Sequence, residues 1–357
     1  MPDSFPRVSI IIVSWNALPL LKECLPSVVA TDYSNLEIIL ADNASTDGSA
    51  EWVMRELPEV RVVRHPANWK FCKGNNEAVP YASGQYIALL NNDVEVTPDW
   101  LSPLVEVLES DAAVAAVQPK LLQYTDRTRF EYAGASGGFV DRLGYPFTRG
   151  RIFFTMEEDQ GQYDDPRDIF WATGACVLLR RSALERVGLL DEQFEMHMEE
   201  IDLCWRLQRS GYRIRVEPSS QVYHVGGGSL PQGDARKAYF NFRNGLLVLY
   251  KNLPMAEWLK VLPVRCTLDS LAALRALVSG RPAEAWAVVR AYADAHRMKK
   301  AYTQRPSESV FPSYRGSIVL DYFLRHRRKF SDLPLSRFTQ VEARRGPRTI
   351  LEGGPSR

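Results

Sequence analysis

The sequence predicts an α/β fold built on a parallel, doubly wound sheet. Over the first 120 residues, short apolar runs alternate with stretches of helical spacing, as in a chain of parallel crossover units. The runs are apolar throughout and not at every second residue, which is how strands covered on both faces read. One of them, Tyr86–Leu90, breaks abruptly into Asn91-Asn92-Asp93 and then Val94-Glu95. That places amides and a carboxylate at the carboxyl edge of the sheet, where open α/β folds bind ligands.

The elements follow in order. Val8–Ser14 (VSIIIVS) is the first strand and Leu18–Val29 the first helix. Leu36–Ala41 is the second strand, and Thr46–Leu57 the second helix, with Ser45 or Asp47 as its cap. Val60–Val63 and the helical stretch Lys73–Ala82 come next. After Tyr86–Leu90, Thr97-Pro98 starts a helix running to Leu108, proline being suited to a first turn. Ala113–Val117 is the fifth strand. From about 121 to 180 the chain is rich in glycine, aromatics and charge: Tyr132–Gly138 reads as a loop and Arg142–Asp168 as a mobile segment. Trp171–Leu179 reads as a turn entering a strand, and Ser182–Val187 and Glu199–Ser210 as helices. Beyond Tyr239 the pattern is mainly helical, with Trp258–Val278 and Ala283–Met298 as the long segments. Arg265, Asp269 and Arg275 interrupt the first, so it is not expected to span a bilayer. It is left to dock on a membrane surface, on the body or on a second subunit. Residues 341–357 are expected to be a disordered tail.

Composition sets the bounds. The 357 residues, 45% hydrophobic and 24% charged, suit a globular protein with one large core or two domains. Five cysteines, odd in number and without CxxC spacing, exclude a disulfide framework or a zinc site. The N-terminus carries no secretory signal, so a cytoplasmic location is expected. A net charge of +1 hides an asymmetry: 23 Lys and Arg against 9 Asp and Glu from Ala235 onward, and 21 against 34 before it. A basic C-terminal region suits an anionic partner. No nucleic-acid module is recognisable, which leaves lipid headgroups, with a solvated helical face as the plain alternative.

Five clusters bear chemistry. Asp42-Asn43-Ala44-Ser45-Thr46-Asp47 follows the second strand, where an Asp can accept from a pyrimidine imino group, although such residues also cap helices. Asn68–Asn76 opens a helix with amides, two lysines and a glycine, a mixture able to line a nucleotide-sugar pocket. The Asn91-Asn92-Asp93 edge supplies oxygen ligands suited to Mg²⁺ or Mn²⁺, and those ions suit a diphosphate. Glu199, Glu200 and Asp202 crowd one helix start, where like charges raise a carboxyl pKa toward the range of a general base. Asp202–Arg206 is also an ordinary i,i+4 pair. His224 precedes the flexible run Gly226–Ser229, where it can complete an ion shell or touch a diphosphate.

These pieces, in this order, resemble glycosyltransferase family 2, the inverting enzymes of the GT-A fold, and most closely the bacterial branch that includes rhamnosyltransferases. The matching text is VSIIIVSWN, DNASTDGS, NWKFCKGNN, LLNNDVEVTPDWL, WATGACVLLRRSALERVGLLDEQF, EEIDLCWRLQRSGY, VYHVGGGS and NFRNGLLVLYKN. Their collinearity from about Val8 to Asn252 is the specific feature. The resemblance implies a Rossmann-like, mostly parallel central sheet with a C-terminal helical extension. It divides the chain into a catalytic domain, 1–235, with a nucleotide-sugar half to about 120 and an acceptor half beyond it, then a basic helical extension, 236–340.

The resemblance also implies roles. Ser14 and Asp42 sit against base and ribose with Asn75 nearby, and Asn16, Asn91 and Asn92 belong to the same nucleotide-sugar pocket. Asp93 and His224 hold Mg²⁺ or Mn²⁺, and Asn91 stands where many relatives have a first Asp. Glu200 falls on the catalytic base, but both members of the pair are glutamates, so Glu199 stays a candidate, with Asp202 in support. Trp171 and Gly174 lie on the acceptor side. Lys70 stands where relatives have glycine, which leaves the shape of that loop open. The expected reaction moves a sugar from a nucleoside-diphosphate sugar, UDP- or dTDP-linked, to a hydroxyl of a cell-surface glycan or lipid-linked precursor. The expected partners are those two substrates, a peripheral membrane contact through the basic helices and a homo-oligomer, with no nucleic acid. Two alternatives are a glycan- or nucleotide-binding relic and a sugar-phosphate nucleotidyltransferase. The latter predicts a Gly-rich basic loop after the first strand, where this chain has Ser14-Trp15-Asn16-Ala17-Leu18.

Overall fold

The computed structural model describes residues 5–226, 234–302, 306–307 and 313–339. Among them the strands are β1 (Val8–Ser14), β2 (Leu36–Asp42), β3 (Val60–Arg64), β4 (Tyr86–Asn91), β5 (Val94–Val96), β6 (Val114–Gln123), β7 (Gly138–Val140), β8 (Pro146–Thr148), β9 (Arg151–Ile152), β10 (Thr155–Met156), β11 (Arg167–Ile169), β12 (Cys176–Arg180) and β13 (Arg213–His224). The helices are α1 (Leu18–Val29), α2 (Ser49–Glu56), α3 (Lys70–Ala78), α4 (Leu101–Ser110), α5 (Arg181–Val187), α6 (Glu199–Arg209), α7 (Ala235–Asn252), α8 (Met255–Val278), α9 (Pro282–Met298) and α10 (Ile318–Phe323).

The central sheet runs β11-β13-β6-β12-β4-β1-β2-β3, with β5 added beside β13. β1 to β4 are mutually parallel where they pair. The sheet is mostly parallel, as expected, and its antiparallel pairs lie on the other side. There β12 runs antiparallel to both neighbours, and β5 and β11 antiparallel to β13. Both faces are covered: Ile11, Ile39 and Ile87 pack on one side, Ile10, Leu40 and Leu90 on the other. Double burial is why consecutive positions in the middle of β1, β2 and β4 are apolar.

Local chemistry moves some helix starts. Neither Ser45 nor Asp47 is the cap of α2; Gly48, left-handed at φ 83°, takes that place. Asp47 instead accepts from the backbone N–H of Leu18 (2.9 Å) and of Ser49 (3.1 Å), tying two loops together. α3 begins at Lys70, whose φ of 58° is the left-handed turn that glycine takes without strain. The Lys70 ammonium holds that turn by pairing with Glu195.

The segment 142–168, expected to be mobile, is built. β7 to β10 form a second, antiparallel sheet in the order β10-β9-β8-β7. Chain from beyond residue 312 folds back onto it. Tyr314 bridges to Asp141, the Ile318 N–H donates to Asp141 Oδ2 (2.9 Å), and the Phe330 N–H donates to Glu157 Oε1 (3.1 Å). Phe139 and Phe147 pack against Phe330 and Phe338 with ring centroids 5.1–6.4 Å apart. Residues 341–357, and residues 227–229 of the glycine run, lie outside the described residues.

α8 buries an ion pair beside Trp258 and Ala276 while leaving several of its leucines exposed. Its inward side carries the buried pair Arg265–Asp269 (3.2 Å), with Arg265 donating to the Leu143 carbonyl and the hydroxyls of Tyr145 and Tyr292 donating to Asp269. Its outward side carries leucines. Among the described residues no helix is long and apolar enough to cross a membrane.

Candidate active site

Strand register brings the polar cluster together. Ser14 pairs with Asp42, and Val13 with Asn91, so β1, β2 and β4 end at one level. Asn92 Nδ2 donates to Ser14 Oγ (3.0 Å), and both oxygens of the buried Asp42 accept from the Ser45 N–H (3.3 Å). Asn16, itself left-handed at φ 49°, accepts the Thr46 N–H (2.7 Å) and so joins the loops after β1 and β2. Asn75 is buried on α3, where its amide donates to the Phe71 carbonyl (2.9 Å). Gly74 beside it lets α3 close on the sheet, since a Cβ there would stand 3.0 Å from Val13 and 3.1 Å from Asn43.

Asp93 sits in the turn between β4 and β5. β5 pairs with the end of β13 so that Val94 faces His224, which sets His224 Nε2 3.0 Å from Asp93 Oδ1. On the other side of the ring, Nδ1 lies 3.1 Å from Glu131 Oε1. All three side chains are buried. Burial works against charge on the imidazole, but Glu131 and Asp93 overcome it and raise the His224 pKa to about 10. Burial also opposes the Asp93 carboxylate, and the charge and hydrogen bond of His224 nevertheless hold it below the usual range, with help from Asn91. Glu131 was invisible in the sequence: it lies in an irregular stretch and has no spacing relation to Asp93 or His224.

The donor set fits the divalent ion implied by the resemblance. Asp93 and His224 Nε2 converge; with its pKa raised to about 10, the imidazole would have to give up its Nε2 proton to join Asp93 on the ion, and Glu131 on the far nitrogen would then orient it. The pocket already holds one positive charge between two carboxylates, and a divalent ion satisfies the same electrostatics. Among the described residues no three acidic, histidine or cysteine side chains form a ready-made ion shell. Diphosphate oxygens and water would have to supply the rest, as such ions accept.

Glu199 and Glu200 open α6 after a turn in which Glu195, His197 and Met198 all have φ between 65° and 71°. Strain of this kind persists only where neighbours hold it. The neighbours are on α7: Arg243 donates to the carbonyls of Gln193 and Phe194, and Asn244 to those of Phe194, Met196 and His197. Neither residue stood out as a holder of the site in the sequence. Burial raises the Glu200 pKa to about 7, while burial and the neighbouring Glu200 charge push Glu199 well above the carboxylate range. One oxygen of each is buried with no hydrogen-bond partner.

These carboxylates stand at the sheet edge already described. The Asn91 N–H donates to the Ala175 carbonyl (2.9 Å), and a Cβ on the adjacent Gly174 would lie 3.2 Å from Phe71 and 3.8 Å from Glu199 Oε1. Two further expected residues are buried. Trp171 lies beneath Gly138 with its indole N–H on the Phe139 carbonyl (3.0 Å). Asp202 pairs with Arg206 (2.8 Å), as the i,i+4 spacing predicts, and its oxygens also accept from Lys251 (2.9 Å) and Asn252 (2.8 Å), which ties α6 to α7.

Comparison with known proteins bears on family and fold. The profile of Glycosyl transferase family 2 matches residues 9–188. The chain is 31% identical over 252 residues to the O-antigen biosynthesis protein RfbC of Myxococcus xanthus, covering 67% of this chain but only 19% of that protein's length. It is 27% identical over 241 residues to an N-acetylglucosaminyl-diphospho-decaprenol L-rhamnosyltransferase of Mycobacterium tuberculosis, covering 63% of this chain and 76% of that one. The structure of S. aureus TarS 1-349 in complex with UDP-GlcNAc has the same fold, with a TM-score of 0.53, 14% identity and 83% of both chains covered.

Proposed function

This chain belongs to Glycosyl transferase family 2, and from that premise we propose that it is an inverting transferase that moves a sugar from a nucleoside-diphosphate sugar to an acceptor hydroxyl. The carrying observation is the convergence at one sheet edge of two groups with opposite tasks: the Asp93–His224–Glu131 cluster and the Glu199–Glu200 pair. Ser14, Asn16, Asp42 and Asn75 frame the base and ribose, with Asn91 and Asn92 beside the sugar. Asp93, with His224 once its Nε2 is deprotonated, would hold Mg²⁺ or Mn²⁺, which would supply positive charge against the leaving diphosphate.

Glu200 is the base. With a pKa of about 7 it is part ionised at neutral pH, whereas the more deeply buried Glu199 keeps its proton. Glu200 takes the proton of the acceptor hydroxyl as that oxygen bonds to the anomeric carbon from the face opposite the diphosphate. The carbon–oxygen bond to the diphosphate breaks, its electron pair leaves with the diphosphate, and a single displacement inverts the configuration. Gly174 leaves room for the acceptor beside Glu199, where any side chain would press on Phe71.

The donor is a UDP- or dTDP-sugar, with dTDP-rhamnose the first to try because of the mycobacterial relative. The acceptor is a cell-surface glycan or its lipid-linked precursor, met at the cytoplasmic face of the membrane. The test is a panel of UDP-, dTDP- and GDP-sugars with Mn²⁺ or Mg²⁺, reading thermal shift and nucleoside-diphosphate release. A metal-dependent response to one donor supports the reading; no response to any donor in the presence of lipid-linked acceptors refutes it.

A further inference from the structure

We propose that the outward face of α8, together with the neighbouring aromatic edge, is a docking surface for an anionic lipid bilayer. α8 buries Arg265 and Asp269 and turns Leu271, Leu274 and Leu277 to solvent, each more than half exposed, with Val278 more exposed still. An amphipathic helix of a protein whose only solvent is water is oriented the other way. Exposed apolar area on this scale marks an interaction surface.

The patch continues beyond the helix. Arg275 lies over the rings of Phe154 (5.0 Å) and Phe323 (5.5 Å), both exposed, and Leu324 follows at the surface. Trp286 on the antiparallel neighbour α9 is two-thirds exposed. The rim is basic in excess: in the run Arg325-His326-Arg327-Arg328-Lys329 after Leu324, Arg325 and Arg327 share the single carboxylate of Asp321, while Arg281 and Arg290 beside Trp286 pair with Glu284 and Asp294. The chain from Ala235 onward carries 23 basic against 9 acidic residues. Leucines and a tryptophan within a basic rim are the pattern of a surface that lies in the headgroup region of an anionic bilayer. A second copy of this chain would bring the same positive rim against itself, so charge favours the lipid.

Vesicle flotation tests this without reading turnover, so its outcome is separate from that of the transferase reading. The full chain is mixed with vesicles of phosphatidylcholine alone or with one-third phosphatidylglycerol, at low and high salt. The comparison is Leu274→Glu/Val278→Glu, two exposed positions whose change leaves the melting curve in place. The expected result is flotation with phosphatidylglycerol vesicles, weakened by salt and reduced at least tenfold in the double variant. Absence of flotation, equal flotation on phosphatidylcholine alone, or an unaffected variant overturns the proposal. So does a wild-type dimer in sedimentation that the variant turns into a monomer, which assigns the face to a second copy.

Discussion

The side-chain amide of Asn244 lies 2.8 Å from the carbonyl oxygen of His197, and the same amide reaches the carbonyls of Phe194 and Met196. One residue of α7 thus holds the left-handed turn that delivers Glu199 and Glu200. Asn244→Ala leaves buried carbonyls unsatisfied, at a cost of about 1–3 kcal/mol. Because it loosens the base and not the donor pocket, kcat should fall by about 10–100-fold while donor KM stays nearly constant. Steady-state kinetics on the folded variant checks this; a change confined to KM would place Asn244 on the donor side.

Glu200→Gln should lower kcat by about 10²–10⁴-fold and leave donor affinity intact. Glu199→Gln replaces a carboxyl that is already neutral with an isosteric amide, so about a tenth or more of the rate should survive. Reversal of the two results would move the base to Glu199.

The pH profile follows from the same pair. As the proposed base Glu200 would act ionised, so the rate should fall as pH drops through about 7. The stability effect has the opposite sense. A carboxyl whose pKa rises from 4.5 to about 7 on folding binds more protons folded than unfolded between those values. Stability is therefore lost as pH rises across that window. Glu200→Gln removes the penalty and should raise Tm more at pH 8 than at pH 5; an equal shift at both would remove this account.

Asp93→Asn keeps the shape of the β4–β5 turn and removes one of the two carboxylates around His224. Stabilisation of the donor complex by Mn²⁺ should disappear, and nucleoside-diphosphate release should drop by about 10²-fold or more. In the wild type, a chelator should stop release and added Mn²⁺ or Mg²⁺ restore it. Full activity in chelator would exclude an ion at this site.

Asp202→Ala strips a buried carboxylate from Arg206, Lys251 and Asn252. Removing one partner of a buried ion pair costs about 3–5 kcal/mol. The prediction is a large fall in Tm by calorimetry, with kcat close to normal well below the new midpoint. A dead but fully stable variant would restore Asp202 to the chemistry.

What the sequence made legible depended on repetition of a physical pattern. β1 and α1 fall on Val8–Ser14 and Leu18–Val29 as expected, because double burial and a 3.6-residue stripe each leave a long trace. β7 to β10 left none. Two- and three-residue strands are too short for a period, and their partners lie more than 150 residues away at Tyr314 and Phe330. In the site, Asp93 and His224 stood in recognisable text, whereas Glu131 acts only through a fold contact. The Asp202–Arg206 pair was legible from its i,i+4 spacing, whereas the partners Lys251 and Asn252 from α7 show only in the fold. Lys70 is the instructive departure: the backbone keeps the turn of a glycine, and an ion pair with Glu195 takes over the holding.

The fold-back of residues 313–338 onto β7 and β8 also dictates when the molecule can finish itself during synthesis. Asp141 and Glu157 leave the ribosome long before the N–H groups of Ile318 and Phe330 that they accept, and Phe139 and Phe147 wait as long for Phe330 and Phe338. Strands β1 to β4 can assemble while translation continues. The β7–β10 sheet is completed only by chain that emerges about 170 residues later, so a ribosome stalled near residue 300 would hold a chain with an open aromatic seam.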